Sequence, residues 1–213
     1  MASDTKTRIL DSAEILFAEQ GIAATSLRAL TDHAGVNLAS VNYHFQSKDA
    51  LVQAVLFRRL NPINERRMTM LNALIHLGPG VRPTVEQILD AFYRPMVEAG
   101  LAQPAERRAI MSLIGRIYME PDELLAGQVR ALMAPVASVF LDVLHLALPE
   151  VPQNILFWRL HFAVGVISHT FGAQHLIEGL SRGRVRYDDP EELLRQMISF
   201  AAGGLRGAVP CAQ

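Results

Sequence analysis

The sequence predicts an all-α protein of about nine helices, with an N-terminal helix-turn-helix domain and a C-terminal helical bundle. Three observations predict it. Apolar residues recur at helical spacing along nearly the whole chain. Capping residues, glycines and prolines punctuate that pattern, and no stretch alternates as a strand would. The 213 residues are 50% hydrophobic and 19% charged, with a formal net charge of −1. That is enough apolar material for a buried core and too little charge for a disordered chain. A near-neutral chain does not coat nucleic acid by bulk charge. Its one cysteine, Cys211, excludes an intrachain disulfide framework and a cysteine-based zinc site.

The first helix is expected over Asp4 to Gln20. Ile9, Ala13, Leu16, Phe17 and Gln20 share one face, and Gly21 ends it. Thr25 or Ser26 can cap a short helix, Leu27 to Ala34, which Gly35 breaks. Asn37 can cap a third, Leu38 to Phe45. Ser47 caps a fourth, with Asp49 placed well against the helix dipole. This helix runs from Lys48 towards Leu77, with a kink or restart expected near Asn61 because Pro62 lacks a backbone N–H. Gly78-Pro79-Gly80 is a loop. Thr84 and Gln87 form a capping-box pair for a helix to about Ala99. Pro104 opens another to about Met119. Pro121-Asp122-Glu123 opens the next to about Leu148, with a kink expected at Pro135. Pro152 opens a long apolar helix to about Leu180, and Ser181 to Asp188 is a loop. Asp189-Pro190-Glu191-Glu192 starts the last helix, to about Ala202, with a cap, a proline and two acids in order.

The longest run without Asp, Glu, Lys or Arg is Leu160 to Ile177, 18 residues. It carries His161, Ser168, His169, Thr170, Gln174 and His175, a polar load that is costly in lipid, so it reads as a bundle helix and not as a membrane span. Met1 to Ile9 is polar and has no apolar signal core. A cytoplasmic protein is expected.

Residues Leu27 to Phe45, LRALTDHAGVNLASVNYHF, place two short helices about a turn at Gly35. Leu30, Ala34, Val36 and Val41 sit where a helix-turn-helix buries its apolar contacts, and a left-handed turn favours glycine. The second helix would enter a major groove. Its outward residues are Ala39, Ser40, Asn42, Tyr43 and His44, small enough for close approach or able to hydrogen-bond bases and phosphates, and Leu38 opens it in the expected DNA-binding set. Thr25, Ser26, Arg28, Asn37 and Lys48 complete the expected DNA-binding set. Residues 1–50 hold four basic side chains against six acidic ones, so placement and not net charge must supply phosphate contacts.

Taken together, these residues resemble the DNA-binding domain of the TetR family of bacterial transcriptional regulators. The likeness covers residues 7–57. It rests on Ile9, Ala13, Phe17, Gly21, Thr25-Ser26, Ala34-Gly35-Val36, Tyr43-His44-Phe45, Ser47-Lys48 and Leu51. Leu38 stands where Lys or Arg is frequent in the family. The resemblance implies a DNA-binding domain over residues 1–50 and a ligand-binding and dimerisation domain over 51–213. It also implies a homodimer through the last two helices, which would hold two recognition helices on a pseudo-palindromic double-stranded operator.

The family's middle helices enclose a small-molecule effector, here expected to be largely apolar and to release the operator. Candidate lining residues are Phe92, Met96, Met111, Arg116, Tyr118, Trp158, His161 and Phe162. His161, Ser168 and His175 repeat at seven and would form a polar stripe towards a ligand or a partner helix. No His pair at i, i+4 with a nearby acid supports a metal, and no cofactor is expected. Nucleophile elbows, phosphate loops and metal-binding His-Glu pairs are not recognisable, so an enzyme is not expected. An activator or architectural DNA-binding protein without an effector is the rival reading.

Overall fold

The computed structural model describes residues 2–78, 80–101, 123–172, 174–185 and 189–208. Among them are nine helices and no strand: α1 (Ala2–Gln20), α2 (Leu27–Ala34), α3 (Leu38–Phe45), α4 (Lys48–Ile75), α5 (Val85–Leu101), α6 (Glu123–Ala147), α7 (Gln153–Gly172), α8 (Gln174–Leu180) and α9 (Pro190–Arg206). The helix expected over 104–119 lies outside the described residues.

One expectation is corrected. Of the kink or restart expected near Asn61, the restart does not occur: α4 is one helix through Pro62. Pro62 is exposed while Leu60 and Ile63 beside it are buried, so apolar packing on the inner side holds the helix despite the missing donor. Over the span expected to be one helix from Pro152 to Leu180, α7 and α8 are both helical, and residue 173 between them lies outside the described residues. The side chain of His175, expected to share a stripe with His161 and Ser168, also lies outside the described residues.

The chain divides into two compact units, with the boundaries inside α4 and α6. The first is residues 1–62 with 123–132, and the second is 63–101 with 133–208. The first unit is built on Ile9, Ala13 and Phe17 of α1, Leu30 and Ala34 of α2, and Val41 and Phe45 of α3. That core continues beyond residue 50 into Leu51, Val52, Val55 and Leu56 of α4. Glu14, buried on α1, is paired with Arg59 of α4, and Arg58 reaches Asp11 at 2.7 Å. These ion pairs clamp α1 to α4.

The second unit buries Ile88, Leu89, Phe92 and Val97 of α5 with Val136, Phe140, Val143 and Leu144 of α6. Leu156, Leu160, Ala163 and Ile167 of α7 join them, as do Leu194, Met197, Ala201 and Leu205 of α9. The predicted capping box is present: Thr84 N–H donates to Gln87 Oε1 at 2.9 Å and Gln87 N–H to Thr84 Oγ1 at 3.2 Å. Asp189 Oδ1 likewise accepts from the N–H groups of Glu191 and Glu192. Charged bonds tie α9 at both ends. Arg94 of α5 joins Asp90 to Glu191, and Arg206 holds Glu86 at 2.5 Å. Arg159, buried on α7, donates to the carbonyls of Leu205 and Gly207 at 2.5 and 2.6 Å, and so satisfies backbone acceptors that the helix end leaves over.

Candidate nucleic-acid interface

The turn between α2 and α3 is made by local chemistry and held by one distant side chain. Ser26 Oγ accepts from Ala29 N–H at 3.1 Å and starts α2. Gly35 ends it in the left-handed region, at φ 61°, which glycine adopts without steric cost. Val36 N–H then returns to Thr31 O at 3.0 Å, and the extended Asn37 starts α3. Its Oδ1 accepts from Ser40 N–H at 2.8 Å and from Ser40 Oγ at 2.9 Å. Arg8, on α1, donates through Nη2 to the carbonyls of Ala34 and Gly35. At the far end of α3, Gln46 is a non-glycine residue at φ 65°. It allows only Gln46 and Ser47 between α3 and α4, which Ser47 Oγ opens by accepting from Ala50 N–H.

This frame buries Val41 and Phe45 and turns the rest of α3 outward. Leu38 is 49% exposed and Tyr43 80%. Ala39 and Asn42 are exposed, and Ser40 and His44 half-buried. The Tyr43 and His44 rings meet edge-on at 5.1 Å. Ser26, Arg28 and Asn37 are exposed on the same helix-turn-helix segment. Lys48 is half-buried and donates to the Ala23 carbonyl at 3.2 Å, which holds it towards the loop before α2.

Thr25 departs from the expectation that it contacts DNA. It is 1% exposed, and its hydroxyl donates to the carbonyls of Gly21 and Leu16 at 2.7 and 3.3 Å. Its polar group is spent on closing the loop after α1. Arg8 and Gln46 escaped sequence reasoning. Arg8 acts 26 and 27 residues away, and no residue pattern marks Gln46 as a positive-φ residue.

The residues expected at an effector site separate. Phe92 and Met96 are buried on α5, and the Phe92 and Phe140 rings lie 4.6 Å apart. Against them stands a group that the sequence does not advertise, Arg67 of α4, 1% exposed. Its guanidinium lies 4.4 Å from the Phe92 ring centre, its Nε donates to Phe92 O at 2.8 Å, and its Nη1 donates to Asn64 Oδ1 at 3.2 Å. Asn64 Nδ2 reaches the Met133 sulfur at 3.7 Å. Tyr93 donates its hydroxyl to Ala163 O at 3.0 Å, and burial pushes its phenol above the ordinary range.

Met111, Arg116 and Tyr118 lie outside the described residues. Trp158, His161 and Phe162 are not in this core. They are on the open side of α7, with Trp158 61% and Phe162 63% exposed and their rings stacked at 6.1 Å. α7 is apolar on both sides, so periodicity could not tell which side faces its own unit. Phe162 instead edges a groove of about 890 Å³ among α7, α8 and α9, with His169, Met197 and Phe200.

The chain matches two family models, "Bacterial regulatory proteins, tetR family" over residues 9–55 and "Tetracyclin repressor-like, C-terminal domain" over residues 90–204. It is 43% identical over 91 residues to the HTH-type transcriptional repressor KstR2 of Rhodococcus jostii, a match that spans 43% of either chain. It is 23% identical over 177 residues to the HTH-type transcriptional regulator UidR of Escherichia coli K12, covering 78% of this chain and 90% of that one. In three dimensions it is similar to NalD, the secondary repressor of the MexAB-OprM multidrug efflux pump in Pseudomonas aeruginosa. That likeness has a TM-score of 0.60 at 24% identity, over 92% of this chain and 95% of that one.

Proposed function

The chain belongs to the TetR family of bacterial regulatory proteins, and on that premise we propose that it is a ligand-responsive transcriptional repressor and not an enzyme. It acts in the cytoplasm as a homodimer on a pseudo-palindromic operator. One observation carries this: α3 stands on a buried base of Val41 and Phe45 with Leu38, Ala39, Asn42 and Tyr43 turned outward, the arrangement a recognition helix needs. Ser26, Arg28 and Lys48 flank it and supply phosphate contacts. KstR2 and NalD are named as repressors, which favours repression over activation.

The dimer forms through α7 and α9. Phe157, Trp158, Phe162 and Phe200 are exposed there, and a monomer rarely leaves so many large apolar side chains in water. Gly165, Gly203 and Gly204 have open space where a side chain would project, which admits a closely approaching second copy. The effector occupies the second unit near Phe92, Met96 and Phe140, an apolar environment. It releases DNA by favouring a conformation that α4 passes on to the helix-turn-helix, so that both half-sites are no longer engaged together.

Selection of bound DNA from a random double-stranded pool tests the reading. Enrichment of a palindromic site is expected, with weaker binding by Tyr43→Ala and Lys48→Ala and no loss of the dimer. No enrichment, or unchanged binding by both variants, overturns it.

A further inference from the structure

α3 offers base edges a narrow chemistry. The helix, Leu38–Phe45, contains neither Lys nor Arg, so it has no side chain for the paired contact to guanine O6 and N7. Asn37, just before it, has its carboxamide oxygen bonded to the N–H and hydroxyl of Ser40. That leaves it N–H donors but no free acceptor for a paired contact to adenine; on the helix itself that contact is open to Asn42, in the second turn. The residue standing at the first turn is Leu38, 49% exposed. Packing within the unit does not call for it, since Val41 and Phe45 carry the buried side of α3. Ala39 beside it is small and exposed, which lets the first turn come close to the groove floor.

The N-terminal residues of a recognition helix are those that meet base edges. An apolar side chain there has one complementary group in the major groove, the 5-methyl of thymine. Against any other base edge the leucine would cover a polar atom and leave it without a partner. We infer that Leu38 reads a thymine methyl in each half-site, an inference that rests on the DNA-binding reading above.

The test uses the full-length protein and a site enriched from a random double-stranded pool. The site is resynthesised with deoxyuridine in place of thymidine at one position at a time, which removes the methyl and keeps the base pair. At one position per half-site the wild type loses about fourfold in affinity, the factor that corresponds to one buried methyl group. Changing both half-sites multiplies this to about fifteenfold. Leu38→Ala, first checked to keep the wild-type helical spectrum and dimer, should bind the thymine and uracil forms alike at that position.

The inference is overturned if the wild type tolerates uracil everywhere within roughly twofold. It is equally overturned if Leu38→Ala keeps the full discrimination. An enriched site indifferent to uracil removes only the role of Leu38. Enrichment of no site removes the DNA-binding reading itself, and Leu38 with it.

Discussion

Arg8 and Gly35 are locked together across the first unit. Arg8 Nη2 lies 3.0 Å from the Gly35 carbonyl, and a Cβ added at Gly35 would lie 2.9 Å from that same nitrogen. The turn that sets the angle of α3 thus needs glycine for its left-handed backbone, and a side chain there would displace the tip of Arg8 from its bonds. Gly35→Ala should cost roughly 1–2 kcal/mol from the backbone alone. Arg8→Ala should cost about 1–3 kcal/mol through the hydrogen bonds it removes from the charged group. Denaturant unfolding measures both. Because each loosens the same turn, the double variant should lose less than the sum of the two, and full additivity would show that Arg8 does not act on the turn.

Gln46 holds a positive φ, 65°, with ψ at −38°, a backbone conformation that a non-glycine residue adopts at a cost. Its side chain is exposed, so little packing is lost with it. Gln46→Gly should therefore stabilise the protein, by up to about 1 kcal/mol. A raised melting temperature with unchanged operator affinity is the expected result. A lowered one would mean that the extra backbone freedom of glycine in the unfolded chain outweighs the strain relieved.

These two sites show where the sequence is legible and where it is not. The Thr84–Gln87 capping box and the Asp189-Pro190 start could be read because their partners are three residues away or fewer. Gly35 was readable as a turn, but Arg8 was not, since the contact joins residues that only the folded core brings near. Trp158, His161 and Phe162 were grouped with Phe92 and Met96 because all are large and at helical spacing. Spacing on a helix apolar all round does not say which side looks inward. Arg67 had no signal at all: a buried guanidinium over an aromatic ring is invisible until Phe92 is placed beneath it.

Stability should fall in acid through two ion pairs on α9. The Arg206 guanidinium holds the Glu86 carboxyl below its ordinary value of 4.5, and Arg94 does the same for Glu191. A carboxyl that is more acidic when folded is protonated first in the unfolded chain, so its contribution is complete above about pH 4.5 and disappears as pH falls through the lowered folded value. Glu86→Gln should thus melt below the wild type at pH 7, and the two should converge by the acid end of that window. The exposed Glu86 pair contributes at most about 1 kcal/mol, and added salt should shrink the difference. A gap independent of pH would place its cause outside the Glu86 charge.

The proposed dimer seam can be separated from folding at Phe200. Its side chain is 74% exposed, whereas Met197 and Ala201 beside it on α9 are buried. A charge at residue 200 therefore stays in water within one chain, and Phe200→Glu should melt close to the wild type at concentrations where both are monomeric. Across a two-fold seam the same substitution brings two carboxylates to a dry surface, a cost that association cannot offset. Light scattering should show a monomer where the wild type is a dimer. Operator binding should weaken by a factor of about 100 or more, because the second half-site is no longer engaged from a tethered partner. Phe157→Glu, on the neighbouring exposed face of α7, should act in the same direction. A dimer that survives both substitutions would move the seam away from α7 and α9.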